Sequence, residues 1–370
     1  MKAWPGIENA DEVPSPALLL DEARIDANIA SMLRIAGEPG RLRPHLKTHK
    51  LSQLVRRQVA VGITKAKVAT IAEAEMAAVH GVRDVLLSLQ PVGPNAARLV
   101  RLLALFPQVR FSAVVDDVAV VAQLAKRVAE SGVERVLGVF VDLDIGQHRT
   151  GVAPGPGAVA VVEEIRRHAE LQFRGLHAYD GHLGITDLTA RTAACDAGYA
   201  AVEALRQQLE AGGISVGAII AGGSPTFPIH ARRPGVELSP GTTVFWDAGY
   251  GTKLPDLPFE PAAFLITRVV SRPAPDSLCL DLGHKAVSAE MAPPRAIFPA
   301  LPDAEAVSHS EEHLVIRTAR AADFQIGDVL YAIPWHVCPT VALHQEAWLV
   351  REGKAVERWT VEARARRITV

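Results

Sequence analysis

Cysteine is scarce in this sequence, and long apolar stretches are missing from it. Three cysteines occur among the 370 residues. A small, odd number cannot form the disulfide framework of a secreted scaffold, and it favours a reducing compartment. No apolar run is long enough to span a bilayer, and residues 1–16 lack the apolar core of a secretory signal peptide. We therefore expect a cytoplasmic protein.

An excess of charge of one sign is also missing. The chain has 39 Lys and Arg against 41 Asp and Glu, which gives a formal net charge of −2. Adjacent basic residues occur at most as doublets, such as Arg166-Arg167, so no nucleic-acid-binding surface is predicted. With 49% hydrophobic and 22% charged residues, the composition is typical of a soluble globular protein. We expect a small-molecule partner.

Short apolar runs alternate with amphipathic stretches through the first two thirds of the chain. The runs begin near Leu42, Lys65, Asp84, Phe111, Val136, Phe173, Ala218 and Val236. The intervening stretches have helical spacing, with Asp21 as one N-cap and Thr70 and Glu73 as a capping box. Eight strands that alternate with helices predict an α/β fold, a parallel (β/α)8 TIM-like barrel. A doubly wound open sheet has the same periodicity and stays possible at this point.

The pattern changes near residue 250. Alternating segments at 263–270, 277–282, 313–318 and 347–350, punctuated by Pro and Gly, predict antiparallel strands. We therefore predict three parts: an N-terminal segment (1–15) that could join the β domain, a barrel (16–249), and a mostly-β domain (250–370).

Unusual polar sequences follow several predicted strands, where barrel enzymes gather their functional residues. The run 43–50 contains four basic or titratable side chains besides Arg43, and their mutual repulsion would lower the pKa of one lysine. An imine-forming lysine needs such a lowered pKa. An exposed basic turn explains this octapeptide equally well.

The fifth and sixth strands end in further candidates. Gly146 and Gly151 flank Arg149, and glycine permits a tight turn that aims the guanidinium inward. Tyr179 and His182 follow the sixth strand. The alternatives are ordinary surface charges for Arg149, core packing for Tyr179, and a loop histidine bonded to backbone for His182.

Glycine and hydroxyl residues follow the seventh and eighth strands. These stretches are residues 222–226 and 240–243. Barrels often bind phosphate after these two strands, through close backbone amides. Each stretch alone is weak evidence for a phosphate site, and the occurrence of both after these two strands is better evidence.

In the β domain, His336 and Cys338 stand out. In a strand, positions i and i+2 face the same side, so the two could bind one metal ion together. Two ligands do not complete a zinc site, however. Spacing alone favours a buried cysteine packed beside a hydrogen-bonded histidine.

The residues resemble the D-threonine aldolase and D-serine dehydratase family, within the alanine-racemase-like (fold type III) pyridoxal-phosphate enzymes. They are more similar to the D-threonine aldolase branch. The resemblance runs from residues 14–18 to the last strand, and its most specific parts are residues 43–50, 67–76 and 336–340. Motifs on both domains, in the same order, argue against a chance match.

This resemblance implies a set of contacts to pyridoxal 5'-phosphate. They are a Schiff base on Lys47, an arginine at the phenolic oxygen (Arg149), an aromatic ring under the pyridine (Tyr179), and phosphate contacts from Ser224, Gly241 and Thr242. Alanine racemases place an arginine against the pyridine nitrogen, whereas the matching position here is Ser239. A neutral partner makes simple racemisation less favourable.

The resemblance also implies a divalent metal ion (manganese, zinc or magnesium) held by His336 and Cys338, and His182 is the candidate general base. The expected reaction is retro-aldol cleavage of a β-hydroxy-D-amino acid to glycine and an aldehyde. The alternatives are a D-serine or D-3-hydroxyaspartate dehydratase and a non-enzymatic pyridoxal-phosphate carrier. A homodimer is implied by the resemblance alone.

Overall fold

The computed structural model describes residues 4–370, so residues 1–3 of the predicted N-terminal segment lie outside the described residues. The chain forms two compact units. The β unit comprises residues 4–31, Thr48–Leu51 and Thr242–Arg364. The barrel unit comprises Met32–Lys47, Ser52–Gly241 and Ala365–Val370. Within residues 4–370, no helix combines the length and apolarity needed to cross a membrane.

Strands and helices alternate in the barrel unit, and strands predominate in the β unit. The strands are β1 (Ala17–Asp21), β2 (Lys65–Val68), β3 (Asp84–Leu87), β4 (Arg110–Val115), β5 (Leu137–Leu143), β6 (Leu171–Ala178), β7 (Ala218–Ala221), β8 (Val236–Leu238), β9 (Ala263–Ala274), β10 (Ser277–Leu280), β11 (Ala296–Ile297), β12 (Glu305–His309), β13 (Leu314–Arg317), β14 (Val329–Pro334), β15 (Glu346–Arg351) and β16 (Lys354–Thr360). The α-helices are α1 (Glu22–Ala36), α2 (Ser52–Ala60), α3 (Ile71–Val79), α4 (Pro94–Leu105), α5 (Val118–Glu130), α6 (Pro156–Arg166), α7 (Leu188–Ala211), α8 (Phe227–His230), α9 (Ala248–Lys253) and α10 (Val337–Leu343).

The barrel unit contains a parallel sheet in which β2 to β8 pair in chain order. The segment 42–45 lies between the two ends of this sheet, because Leu42 bridges β8 and His45 bridges β2. This segment closes the sheet and confirms the predicted (β/α)8 barrel over a doubly wound open sheet. Pro44 has no N–H group to donate, so the strand predicted near Leu42 is reduced to two isolated bridges.

Side chains that accept hydrogen bonds from the first helical turn mark the predicted helix starts. Asp21 Oδ1 accepts from the Arg24 N–H at 3.0 Å. Thr70 Oγ1 accepts from the Glu73 N–H at 3.1 Å, and the Glu73 carboxylate accepts from the Ala69 N–H at 2.7 Å. The two caps predicted from sequence therefore form, and they fix where α1 and α3 begin.

Charged side chains fill one layer inside the barrel. Arg43 of the closing segment is fully buried and donates to Glu237 of β8 at 2.7 Å and to Asp84 of β3 at 2.8 Å. Arg174 of β6 donates to the same Asp84 at 2.8 Å. Because β3 and β6 are not neighbours in the sheet, these contacts cross the barrel interior. Burial would raise the pKa of Asp84, but the charges and hydrogen bonds of Arg43 and Arg174 lower it.

The β unit is built on a nine-stranded sheet. β1 lies between β9, to which it is antiparallel, and β15, to which it is parallel. The four alternating segments predicted from sequence correspond to β9, β10, β13 and β15. Ile7 and Val13 belong to the hydrophobic core of this unit, together with Leu19 and Phe264.

Replacement of Arg43 by methionine is expected to lower the free energy of unfolding by about 3–5 kcal/mol, because two buried carboxylates lose their partner. Arg110→Met is the control, since Arg110 also faces Asp84, at 3.7 Å, but its side chain is 70% exposed. Loss of that exposed pair costs about 1 kcal/mol or less. Urea denaturation of the two variants measures both values, and equal effects would contradict the role given to Arg43.

Candidate active site

A cavity that is open to solvent lies in the barrel unit, and its empty space, part of which is open solvent, measures about 420 Å³. Its walls come from the carboxyl ends of several barrel strands and the loops that follow them. They include the side chains of Lys47, Lys67, Asp142, Arg149, His177 and Tyr179. Three of the residues predicted from sequence (Lys47, Arg149 and Tyr179) therefore line one cavity.

Lys47 lies in a short 3-10 helix (Leu46–Thr48) directly after the closing segment of the barrel. It is half-buried, and its Nζ is 5.9 Å from the centre of the Tyr179 ring. The Lys47 N–H donates to His45 Nδ1 at 3.3 Å, and His45 Nε2 lies 3.2 Å from Ser88 Oγ. These contacts hold the backbone that presents the Lys47 amine to the cavity.

The Tyr179 ring lies over two glycines. A β-carbon on Gly181 would overlap the ring, and one on Gly223 would lie 3.1 Å from Tyr179 Cε2. Glycine at both positions therefore allows the backbone of two loops to approach the ring. The Arg149 guanidinium lies 5.3 Å from the ring centre. Tyr179 is thus a platform between loops that follow β5, β6 and β7.

A tight turn brings Arg149 to this position. Gly146 and Gly151 have φ angles of +120° and +101°, which glycine adopts without strain. Asp144 Oδ1 accepts from the N–H groups of Gly146 and His148, each at 3.0 Å. The tight turn predicted from the two glycines therefore forms, and the Asp144 carboxylate, which was not selected from the sequence, holds it.

The loop after β7 is fixed by a buried carboxylate. Asp180 Oδ1 accepts from the Gly223 N–H at 3.1 Å and from Thr226 Oγ1 at 2.6 Å. Ser224 Oγ is buried and accepts from the Gly241 N–H at 3.2 Å. Two predicted phosphate-binding residues, Ser224 and Gly241, therefore lie together.

Other predicted cofactor residues have different surroundings. Ser239 is buried and its hydroxyl donates to the Arg43 carbonyl at 3.1 Å, so only its oxygen lone pairs are left to accept. Thr242 belongs to the β unit, where its Oγ1 lies 3.5 Å from Cys338 Sγ. His182 is exposed, and its Nε2 would lie 3.1 Å from a β-carbon on Gly146. It is not a wall of the cavity.

Lys67 is a cavity residue that the sequence analysis did not select. Its Nζ lies 4.9 Å from the centre of the Tyr179 ring and 3.4 Å from His177 Nε2. Burial, and then the charge of Lys47, lower the pKa of Lys67 to about 7. The sequence predicted a lysine with a lowered pKa in the run 43–50, and this lysine on β2 has one. The alternation of Lys65 and Lys67 in an otherwise apolar strand was the available signal.

Asp180, Cys195 and His230 form a buried cluster whose ligand atoms lie within 4.8 Å of one another. His230 Nε2 is 2.8 Å from Asp180 Oδ2, and Arg233 Nη1 is 2.9 Å from His230 Nδ1. Burial, with the charge of Asp180, raises the pKa of the Cys195 thiol to about 12. A guanidinium beside a protonated thiol disfavours a cation, so we interpret the cluster as a hydrogen-bonded support for Asp180.

In the β unit, His336 and Cys338 lie together, but not in a strand. β14 ends at Pro334, His336 is the N-cap of α10, and Cys338 lies in its first turn. The strand predicted for His336 and Cys338 is therefore wrong. Pro339 is compatible with the first turn of a helix and was the missed signal. The two side chains are still close enough to affect each other's ionisation, because His336 lowers the pKa of Cys338 and Cys338 raises that of His336.

Two carboxylates complete the surroundings of His336. Its Nδ1 lies 2.5 Å from Glu290 Oε1, and Asp247 accepts from the Val337 N–H at 3.1 Å. Burial would lower the pKa of His336, but Cys338, Glu290 and Asp247 raise it to about 9. Burial likewise opposes ionisation of Cys338, and His336 nevertheless lowers the pKa of this thiol. Neither Glu290 nor Asp247 was selected from the sequence.

Known proteins resemble both units. Residues 20–248 match the alanine racemase N-terminal domain family, and residues 262–350 match the serine dehydratase domain family. The chain belongs to the alanine-racemase-like family of pyridoxal-phosphate enzymes. The fold and family expected from the sequence are thereby confirmed.

Individual members of this family are similar over almost the whole chain. A D-threonine aldolase from Arthrobacter sp is 33% identical over 95% of this chain and 93% of its own. A 3-hydroxy-D-aspartate aldolase from Paracoccus denitrificans is 31% identical over 98% of this chain and 95% of its own. The crystal structure of D-threonine aldolase from Filomicrobium marinum superposes with a TM-score of 0.90 at 29% identity, covering 99% of each chain.

The residues of the cavity fit the cofactor of this family. Pyridoxal phosphate is an anion, and the cavity presents cationic side chains (Lys47 and Arg149) beside an aromatic platform. Ser224 and Gly241, which follow β7 and β8 outside the walls of this cavity, have a hydroxyl and an N–H group of the type that binds phosphate, and here the N–H donates to the hydroxyl. In the β unit, the imidazole of His336 and the thiol of Cys338 are donors that divalent transition metals accept.

If Tyr179 supports the cofactor ring, Tyr179→Ala should weaken cofactor retention about 10-fold or more, because an aromatic contact and its buried area are lost together. Tyr179→Phe should retain the cofactor like the wild type. Tyr199→Ala is the control, since Tyr199 packs on Arg233 and is not a wall of the cavity. Bound-cofactor absorbance after dialysis measures retention, and equal retention by Tyr179→Ala and the wild type would restore the core-packing interpretation.

Proposed function

We propose that the protein is a D-threonine aldolase-type carbon–carbon lyase, dependent on pyridoxal 5'-phosphate and a divalent metal ion. It would cleave β-hydroxy-D-amino acids to glycine and an aldehyde by a retro-aldol reaction. The observation that carries the proposal is the 33% identity to a D-threonine aldolase over 95% of the chain. The placement of Lys47, Arg149 and Tyr179 around one cavity supports it.

Pyridoxal phosphate, when bound, supplies an electron sink for the bond that breaks at the substrate α-carbon. Lys47 would hold it through its amine, and Tyr179 would support its ring. Ser224 and Gly241 would bind its phosphate, while Arg149 adds a positive charge to the same cavity. Ser239 offers oxygen lone pairs, because its proton is donated to a carbonyl.

A divalent metal, when bound, acts as a Lewis acid that lowers the pKa of the substrate hydroxyl. His336 and Cys338 would hold it, and Glu290 would orient the His336 ring. Two protein ligands leave positions for water and substrate, the open arrangement of catalytic sites. Thr48, whose Oγ1 lies 3.2 Å from Cys338 Sγ, directly follows Lys47 in the chain.

Retro-aldol cleavage moves one proton from the β-hydroxyl to the α-carbon, so a residue must accept the hydroxyl proton. His182 is our candidate base. Its ring is exposed beside Gly146, in the turn that carries Arg149, and it forms no ring hydrogen bond within residues 4–370. Lys47 is the candidate for proton exchange at the α-carbon.

One observation favours a second function. Residues 262–350 match the serine dehydratase domain family. In a dehydratase acting on D-serine or D-3-hydroxyaspartate, Lys47 would remove the α-proton and hydroxide would leave. A non-enzymatic cofactor carrier is less favoured, because that class consists of the barrel alone, whereas this chain adds the β unit with His336 and Cys338.

We expect the wild-type protein to convert D-threonine to acetaldehyde and glycine. A dehydratase would instead release a keto acid and ammonia from D-serine or D-threonine, and a carrier would release neither. Lys47→Ala should lose turnover and the imine absorbance together. Borohydride reduction and peptide mapping should locate the pyridoxyl group on Lys47. A label on Lys67, which lines the same cavity, would refute this assignment.

Replacement of His336 or Cys338 by alanine should lower turnover at least about 100-fold, because Lewis-acid stabilisation is worth several kcal/mol. The imine absorbance should persist, since Lys47 is not changed. Cys338→Asp replaces a soft donor by a hard one, so the metal that restores a chelated enzyme best should shift toward manganese or magnesium.

Cys279→Ala is the matched control, because Cys279 is another free, half-buried cysteine of the β unit. It should behave like the wild type. Full activity of both chelated enzyme and His336→Ala would show that the pair are packing residues without a catalytic metal.

A further inference from the structure

Lys67 is a second amine in the cavity, and its surroundings differ from those of an ordinary buried lysine. Its side chain is 2% exposed, yet within residues 4–370 it forms no salt bridge. Lys65, two residues earlier on the same strand, is ion-paired with Glu237. Buried charged groups are normally paired, because an unpaired charge is costly inside a protein. Lys67 therefore differs from its neighbour in having no anionic partner.

Among residues 4–370, His177 is the one side chain within hydrogen-bond distance of the Lys67 amine, at 3.4 Å. Lys67 lies on β2 and His177 on β6, so this contact crosses the barrel interior. On the other side of the ring, His177 Nδ1 is 2.6 Å from Asp142 Oδ1. Asp142 and His177 are register partners on the neighbouring strands β5 and β6.

The hydrogen bond to Asp142 sets the tautomer of His177. Burial would raise the pKa of Asp142, but the contacts with His177 and Thr150 lower it, so the carboxylate is ionised and can only accept. His177 Nδ1 therefore carries the proton. Burial lowers the pKa of His177, so the ring is neutral and its Nε2 lone pair faces Lys67. The Lys67 amine donates to that nitrogen.

The second oxygen of Asp142 extends this chain of contacts to the cavity rim. Thr150 Oγ1 donates to Asp142 Oδ2 at 2.9 Å. Thr150 lies in the turn that carries Arg149, and both residues are exposed walls of the cavity. Lys67, His177, Asp142 and Thr150 thus form one continuous hydrogen-bonded series in the barrel unit.

Several charged or titratable groups face the Lys67 amine from the surrounding elements. They are Lys47 after the closing segment, Asp142 on β5, Arg149 in the following turn, His177 on β6, and Tyr179 and Asp180 after β6. Burial and the charges of Lys47 and Arg149 disfavour the ammonium, and those of Asp142 and Asp180 favour it. The resulting pKa of about 7 makes both forms of the amine accessible at neutral pH.

We propose that Lys67, His177 and Asp142 form a proton relay. Lys67 is an acid–base residue distinct from Lys47 and exchanges a proton with the substrate, while His177 and Asp142 hold its amine through their hydrogen bonds. Its neutral amine takes a proton from the ammonium group of the incoming amino acid. The products of this transfer are the Lys67 ammonium and a free substrate amine, which is the form that attacks a carbonyl or imine carbon. The proton returns to the amino group of the product as it leaves. The relay rests on the proposed function only for the identity of the substrate.

The first experiment needs neither cofactor nor substrate. Cofactor-free protein is reductively methylated with [13C]formaldehyde, and the methylated lysines are titrated by NMR. The resonance absent from Lys67→Arg should titrate near the value of about 7 given above. In Asp142→Asn it should titrate lower, because a negative charge that favours the ammonium is removed. The proposal would be overturned if Lys67 titrated near 10.4, like the surface lysines, or if [13C]formaldehyde did not label it.

The second experiment uses the loaded enzyme. Lys67→Arg keeps the positive charge but cannot lose its proton, so kcat/KM should fall about 100-fold or more. The wild-type kcat/KM should rise with pH as Lys67 loses its proton, and this limb should be absent from Lys67→Arg. Lys65→Met is the matched control and should keep the wild-type profile. The thermal midpoint and cofactor absorbance of all three proteins should be alike.

The two proposals can fail separately. A wild-type protein without activity on D-threonine or D-serine would refute the proposed function, while the NMR titration would still decide the relay. An active Lys67→Arg variant with an unchanged pH profile would refute the relay and leave the aldolase proposal intact. A structural role for Lys67 would lower the thermal midpoint without removing an ionisation from the profile.

Discussion

The closure of the barrel by residues 42–45 is the constraint on which the cavity depends. The segment bridges β2 and β8 through backbone contacts, and Arg43 anchors it through two carboxylates inside the barrel. Lys47 follows within one turn of 3-10 helix. The Arg43 carbonyl also accepts the Ser239 hydroxyl. Strand pairing, interior charge and the candidate cofactor residues therefore share a few consecutive residues.

A second constraint is electrostatic. Lys47, Lys67 and Arg149 surround one Tyr179 ring at 5.9, 4.9 and 5.3 Å from its centre. Each contact of a cation with a ring is favourable, but cations this close repel one another. Entry of an anionic ligand would relieve that repulsion, and so would loss of a proton from one lysine. We therefore expect binding of an anion to favour the protonated form of Lys67, whose pKa is about 7.

Much of the fold could be predicted from sequence, because barrel strands are short apolar runs and helix starts carry their own capping residues. Lys47, Arg149 and Tyr179 could be selected from local sequence as well, since each lies in a polar segment that follows a predicted strand. Contacts between distant residues could not be predicted. Glu290 is 46 residues from His336 along the chain, and only folding joins them. Lys67 contacts His177 only because the barrel closes and brings β2 and β6 face to face, and local sequence does not predict that contact. His336 and Cys338 were assigned to a strand from their i, i+2 spacing. The same spacing also occurs at a helix start, which is what the structure shows.

The interior charges of the barrel also tie the cofactor site to acidity. Asp84 and Glu237 have pKa values below their ordinary 3.8 and 4.5, so their contribution to stability is present above those values and is lost as the pH falls below them. The protons that neutralise the two carboxylates also release Arg43, and with it the segment that leads into Lys47. We therefore expect acid denaturation and loss of the Lys47 geometry to occur together. In a protein that carried its reactive amine on a separate loop, the geometry of that amine could be lost while the barrel stayed folded.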